Sequence, residues 1–295
     1  MLRSNAARLQ LVVAAALFST GGAAIKAASL SGYQVAGFRS GIAALTLFIL
    51  LAEARKGYSW RAALVGIAYA ATLLLFVLAN KLTTSANTIF LQSTAPLYIL
   101  ILAPLLLKES IRLKDVWFMV AIAAGLVLFF VTRQAPMATA PNPRVGNILA
   151  AISGLTYALT VMGLRWLAPH PGRGSPMAAM VVGNVLAFLL VLPLALPVHG
   201  ASAVDWAVVI YLGVVQIGVA YMFLAKGIAG VPAFEASLLL LVEPALNPVW
   251  SWLVLGERPS AWAMVGAAVI FGATTLRTWL EARNARLPTP IAPAP

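Results

Sequence analysis

The chain has 295 residues, 62% of them hydrophobic and only 9% charged, with a mean hydropathy of +0.94. A water-soluble domain needs far more charge to cover its surface, so this composition excludes one and indicates a membrane protein. The net charge of +12 does not mark a nucleic-acid partner, because the basic residues sit at the ends of apolar stretches rather than in a patch, and the lack of cysteine excludes disulfides, thiolate catalysis and thiolate metal sites.

Apolar stretches near twenty residues recur with short polar breaks, the length needed to cross a hydrocarbon core about 30 Å thick. They predict an all-α membrane protein with ten spans at residues 9–29, 33–53, 62–80, 84–106, 116–132, 147–168, 177–197, 206–226, 233–254 and 261–280. Arg3 and Arg8 before an apolar run would also suit a signal peptide. Lys26 and the immediate start of another span favour a retained first helix.

In chain order, span 1 carries Ser19-Thr20-Gly21-Gly22, a weak point where backbone groups could face a cavity. Span 2 holds Gly37 and Gly41 at the spacing that lets helices approach closely in lipid. Span 3 offers Tyr69 and Thr72 and closes on Lys81. Span 4 carries Asn87, Thr88, Gln92, Ser93, Thr94 and Tyr98 around Pro96, with Pro104 beyond, too many polar groups for a lipid-facing helix. Residues 133–146, with three prolines, read as a linker after an N-terminal module of residues 1–132. Span 6 contributes Ser153, Tyr157 and Thr160, at one-turn spacings along a face, and span 8 gives Gln216 and Tyr221 before closing on Lys226. Lys81 and Lys226 read as snorkelling anchors, or else as attractors of anionic groups at each mouth.

Span 9 holds Glu235, near one end, and Glu243, the deeper carboxylate. A charge in hydrocarbon must face protein or water. Glu243, Asn247 and Ser251 form a polar stripe at four-residue spacing, which either binds substrate or joins helices. Pro244 removes a backbone donor beside Glu243 and opens the helix locally, and Pro248 does the same one turn on. Glu243 is also the candidate for carrying a proton. The second module covers residues 147–281, and the Pro-rich residues 282–295 read as a disordered tail. Trp60, Trp117, Trp166, Trp206 and Trp262 fall near span ends, as suits a membrane interface.

The two halves repeat each other. A gap-free shift of 148 places Leu91 on Leu239, Pro96 on Pro244, Leu107 on Leu255 and Glu109 on Glu257. Five spans per half is an odd number, so the second copy enters the membrane from the opposite side. That is an inverted repeat, suited to a central site that opens to either face. With both termini in the cytoplasm, only Lys26, Arg39, Lys81, Arg133, Arg144 and Arg258 of the 20 basic residues fall outside, in keeping with the positive-inside rule.

Chemistry is sparse. The chain has no phosphate-binding loop motif and no H-E-x-x-H, His170 and His199 lie in separate loops, and no serine–histidine–acid set can be assembled at membrane depth. Neither an enzyme nor a cofactor or metal site is expected.

The paired Pro…Glu segments of spans 4 and 9, with Glu243-Pro244 and Leu255-Gly256-Glu257-Arg258, resemble the EamA-type branch of the drug/metabolite transporter superfamily. The first copy departs from the pattern, with Lys108-Glu109 where Gly-Glu is commoner. The resemblance covers essentially the whole chain and implies ten-helix carriers of the bacterial inner membrane, many of them exporters of amino acids or related metabolites. It further implies a cavity between the halves lined by spans 1, 3, 4, 6, 8 and 9. The expectation is a secondary carrier exporting amino acids or related small metabolites by alternating access, its small-molecule substrate held in a largely apolar cavity that suits amphipathic or aromatic substrates. Pro96, Pro104, Gly230, Pro244 and Pro248 would let helix ends bend. A broad drug-efflux carrier and a metabolite importer are the rivals of the same fold. A membrane-embedded enzyme or receptor would need a deep catalytic cluster that the sequence lacks.

Overall fold

The computed structural model describes residues 2–106, 113–131, 135–167, 174–228, 239–240 and 242–285. In lipid every backbone donor and acceptor must be satisfied internally, so long apolar runs become helices. The helices are α1 (Leu2–Ser19), α2 (Gly21–Ala27), α3 (Gly32–Leu50), α4 (Trp60–Leu82), α5 (Ser85–Gln92), α6 (Ala95–Leu106), α7 (Leu113–Val131) and α8 (Pro143–Leu167). They continue with α9 (Pro176–Ala195), α10 (Ala203–Tyr211), a π-helical segment (Leu212–Val219), α11 (Ala220–Ile228), α12 (Val242–Leu255) and α13 (Ala261–Ala285). Among the described residues seven spans are long and apolar enough to cross a membrane, and Val116–Val131 and Ala261–Arg277 are shorter apolar helices.

Polar caps start these helices where the apolar runs begin. Ser31 and Gln34 form a reciprocal capping box on α3, Ser202 and Asp205 form another on α10, and Ser59, Thr84 and Ser175 cap α4, α5 and α9. The linker ends sooner than expected. Asn142 accepts the Val145 amide, and Pro143 opens α8 at a position where a missing N–H costs nothing.

Two predicted spans are broken. Span 1 turns at Thr20, whose hydroxyl bonds the Leu17 carbonyl and pairs with Tyr211 at 2.8 Å. Span 4 turns at Ser93-Thr94, whose hydroxyls fold back on the carbonyls of Ile89 and Leu91. Pro96 follows at once, in the first turn of α6, and cannot donate to the Gln92 carbonyl, so the continuous helix stops there. Pro104 lies in the last turn of α6, and Pro248 lies inside α12. Gly230, Glu235, His170, the Lys108-Glu109-Ser110 turn and residues 286–295 lie outside the described residues, while residues 282–285, expected to begin the tail, continue α13.

The two halves interleave. α3 packs on α9, α7 on α13, and α4 on both α8 and α9, while α1 packs on α11 and α12, and α8 on α5 and α6. At Gly37 and Gly41 a side chain would press on Val191 and Phe188, so the G-x-x-x-G face serves the contact of α3 with α9. Outward-facing Leu, Ile and Val side chains cover the bundle, and Trp60, Trp117, Trp206 and Trp262 are exposed near helix ends. Arg61 sits over the rings of Trp60 and Trp166, an arrangement suited to the lipid headgroup level.

Candidate functional site

Where the halves meet lies a cavity of about 280 Å³. α1 gives Phe18, α3 Arg39, and α4 Tyr69, Thr72, Leu73 and Phe76. α5 and its break give Ile89, Gln92 and Ser93, and α8 gives Tyr157. The π segment and α11 supply Gln216, Ile217, Tyr221 and Leu224, followed by Leu240 and by Glu243 and Pro244 of α12. The walls are chiefly apolar and aromatic, with a few convergent polar groups, the general character of a small-molecule site.

The polar groups are arranged by packing. The Tyr69 hydroxyl donates to that of Tyr221 at 3.3 Å. Gln92 donates to Ser153 at 2.7 Å, and Ser153 leans on the Thr72 carbonyl at 3.4 Å. Gln216 donates to the Phe18 carbonyl across the halves, and its buried Oε1 has no partner among the described residues. Gln216 sits in the π-helical segment, whose wider turn presses Gly213 and Gly218 against Ile42 and Thr46 of α3. A π turn inside a helix recurs at functional sites and shifts the side-chain register locally.

Of the residues singled out from sequence, Tyr69, Thr72, Gln92, Ser93, Tyr157, Gln216, Tyr221, Glu243 and Pro244 line this cavity. Ser19, Thr20, Asn87, Tyr98, Ser153, Thr160 and Asn247 do not, and each has a packing role instead. Ser19 accepts the Trp250 indole N–H at 2.9 Å, joining α1 to α12. Thr20 pairs with Tyr211, and Tyr98 is half-buried on α6. Asn87 is knotted to Thr83 and Asn147 near one end of the bundle. Ser153 stands behind Gln92, and Thr160 behind Thr72. Asn247 is buried, with its Nδ2 against Gly22, and Ser251 folds back on its carbonyl. The α12 stripe therefore splits: Glu243 faces the cavity and the rest joins helices.

Arg39 is the residue that sequence reasoning misplaced. Counted with the outer-side basic residues, it is 3% exposed and lies in the second turn of α3, on the cavity wall. Hydropathy over a whole span hides a single cation, and a polar face toward other helices is invisible without the packing. Phe18, Leu73, Phe76, Ile89, Ile217, Leu224 and Leu240 were also missed, because apolar cavity walls and apolar core share one composition.

Beyond the cavity, one end of the bundle is tied together by buried charge. Lys26 of α2 and Glu257, just past α12, form an ion pair at 2.8 Å with both side chains 2% exposed. Glu257 also accepts the Ser85 amide at 3.0 Å, tying in the start of α5, and Lys26 donates to the Thr139 carbonyl. Gly256 makes this possible, since its φ of +67° ends α12 in the left-handed region and swings Glu257 back inward. Gly22 adds to the close packing, because a side chain there would meet Ser85 Cβ at 2.9 Å and Asn247 Nδ2 at 3.0 Å. Beside it Lys81 donates to the Ala28 carbonyl at 2.6 Å, so it is a strut of the same end, whereas Lys226 is exposed at the end of α11.

Comparison with known proteins fits this architecture. The profile of the EamA-like transporter family matches residues 6–131 and, a second time, residues 144–279. An uncharacterized transporter of Bacillus subtilis, YdfC, is 28% identical over 255 residues, covering 83% of this chain and 82% of that protein. Another from that organism, YetK, is 25% identical over 196 residues, and the match spans only 58% of its length. The pseudopaline exporter CntI of Pseudomonas aeruginosa is 23% identical over 274 residues, covering 89% and 92% of the two chains. A solved crystal structure superposes with a TM-score of 0.63 at 20% identity, over 96% of this chain and 99% of that one, a likeness of fold.

Proposed function

Since the chain belongs to the EamA-like transporter family, and is thereby a membrane transporter rather than an enzyme, we propose that it is a secondary carrier that exports amino acids or related small metabolites by alternating access. The observation that carries this reading is the cavity between the halves, and we read the buried Lys26–Glu257 pair beyond it as the seal at one end. A carrier of this kind needs a central site and separable seals, so that substrate shifts the balance between two states.

The topology proposed with it is ten spans in two inverted five-helix modules, both termini cytoplasmic, in a bacterial inner membrane. The double family match and the reciprocal packing of α3 on α9 and α7 on α13 support two related halves. The excess of Lys and Arg at one face supports the orientation. In that orientation the Lys26–Glu257 seal lies on the outer side, and the cavity belongs to a state facing the cytoplasm. Export is supported by the name of one relative, an exporter. Amino acids are supported by the cavity's size, its aromatic walls and its two opposite charges.

The test is transport by the purified protein in vesicles loaded with a panel of labelled amino acids. Counterflow or efflux of at least one is expected. If none moves while cationic drugs do, the broad drug-efflux alternative replaces this reading.

A further inference from the structure

The cavity holds two charges that the rest of the protein leaves unmatched. Arg39 is buried on the α3 side, and among the described residues no carboxylate pairs with it and its Nε has no hydrogen-bond partner. Glu243 lies on the α12 side, and among the described residues no cation pairs with it. The two are too far apart to form an ion pair with each other. The same cavity wall carries Tyr69, Tyr157 and Tyr221, with the Tyr69 and Tyr221 hydroxyls 3.3 Å apart.

Unpaired charges at membrane depth are costly, and a protein keeps them only where they meet something. A guanidinium matches a carboxylate through paired N–H donors. A carboxylate matches an ammonium. A ligand with a single charge would satisfy one end and leave the other bare, whereas a zwitterion satisfies both. The wall around them, from Phe18, Phe76, Ile89 and Leu224, suits an apolar or aromatic substituent.

We propose that Arg39 and Glu243 are the two poles of a zwitterion site, Arg39 receiving the substrate's carboxylate and Glu243 its ammonium group, with the Tyr69–Tyr221 hydroxyl pair and Tyr157 on the same wall. The proposal rests on the carrier reading and narrows it to zwitterionic substrates, selected against esters, amides and N-acylated forms. Sequence alone separates the poles by more than two hundred positions and counts one of them only as a basic residue of the outer side.

The test compares L-phenylalanine with L-phenylalaninamide, which lacks the carboxylate, and N-acetyl-L-phenylalanine, which lacks the ammonium group. Binding to the purified, full-length protein is read by calorimetry. The free amino acid is expected to bind at least about tenfold more tightly than either derivative, the discrimination of one charge-assisted contact. Arg39→Gln removes the preference over the amide and keeps that over the N-acetyl form, and Glu243→Gln does the reverse. The parent protein alone, with the three compounds, decides the matter should either variant fail to fold. Equal binding of the three, or binding of none, overturns the zwitterion site. If labelled amino acids still move in vesicles, the carrier reading stands without it. If neither binding nor transport is seen, both fall.

Discussion

Replacing Glu257 by glutamine should unseal one face of the cavity. The side chain is isosteric, but the charge opposite Lys26 is gone from a pair 2.8 Å apart and 2% exposed on both sides. Removing one partner of a buried ion pair costs about 3–5 kcal/mol, because the other charge is left unpaired in a poor solvent. The alternating-access reading puts both groups in water in the opposite state, so on that reading the penalty falls mainly on the sealed state. Taking about 3 kcal/mol, the ratio of sealed to open falls by roughly 150-fold, enough to bring a population of about 99:1 near parity. The chain has no cysteine, so a single Phe76→Cys reporter on the cavity wall can be labelled cleanly. A membrane-impermeant maleimide applied from the face bearing Lys26 should react many times faster in the Glu257→Gln background. Replacing both partners by methionine should restore slow labelling, because an apolar pair leaves no bare charge. Unchanged reactivity in Glu257→Gln would refute the claim that this pair holds the face shut.

Two further outcomes follow from the packing. Gly22→Ala places a methyl 2.9 Å from Ser85 Cβ, whose position is set by backbone, so overpacking of about 1–3 kcal/mol should lower the melting temperature in detergent; an unchanged melt would mean α2 and α5 separate freely. Asn87→Ala cuts bonds to Thr83 and Asn147 in a fully buried knot, and should cost about 1–3 kcal/mol of stability while leaving the ranking of substrates intact. A changed substrate ranking in Asn87→Ala would return Asn87 to the site.

Membrane residence, the helical spans and the repeat were legible in the sequence because each rests on local or periodic properties. An apolar run of about twenty residues is helical in lipid whatever its neighbours, and a repeated Pro…Glu segment is visible before any folding. The polar residues of span 4 likewise announced that they avoid lipid. What they avoid it for was not legible: a helix–helix contact and a cavity wall both exclude hydrocarbon, so Gln92 and Asn87 look alike until packing sends one to the cavity and the other to a knot with Asn147. Arg39 and the Lys26–Glu257 pair make the same point for charge. Partners hundreds of residues apart meet only through tertiary packing, and the rotation of α3 about its axis, set by its contacts with α9 and the π segment, decides that Arg39 faces a cavity rather than an interface.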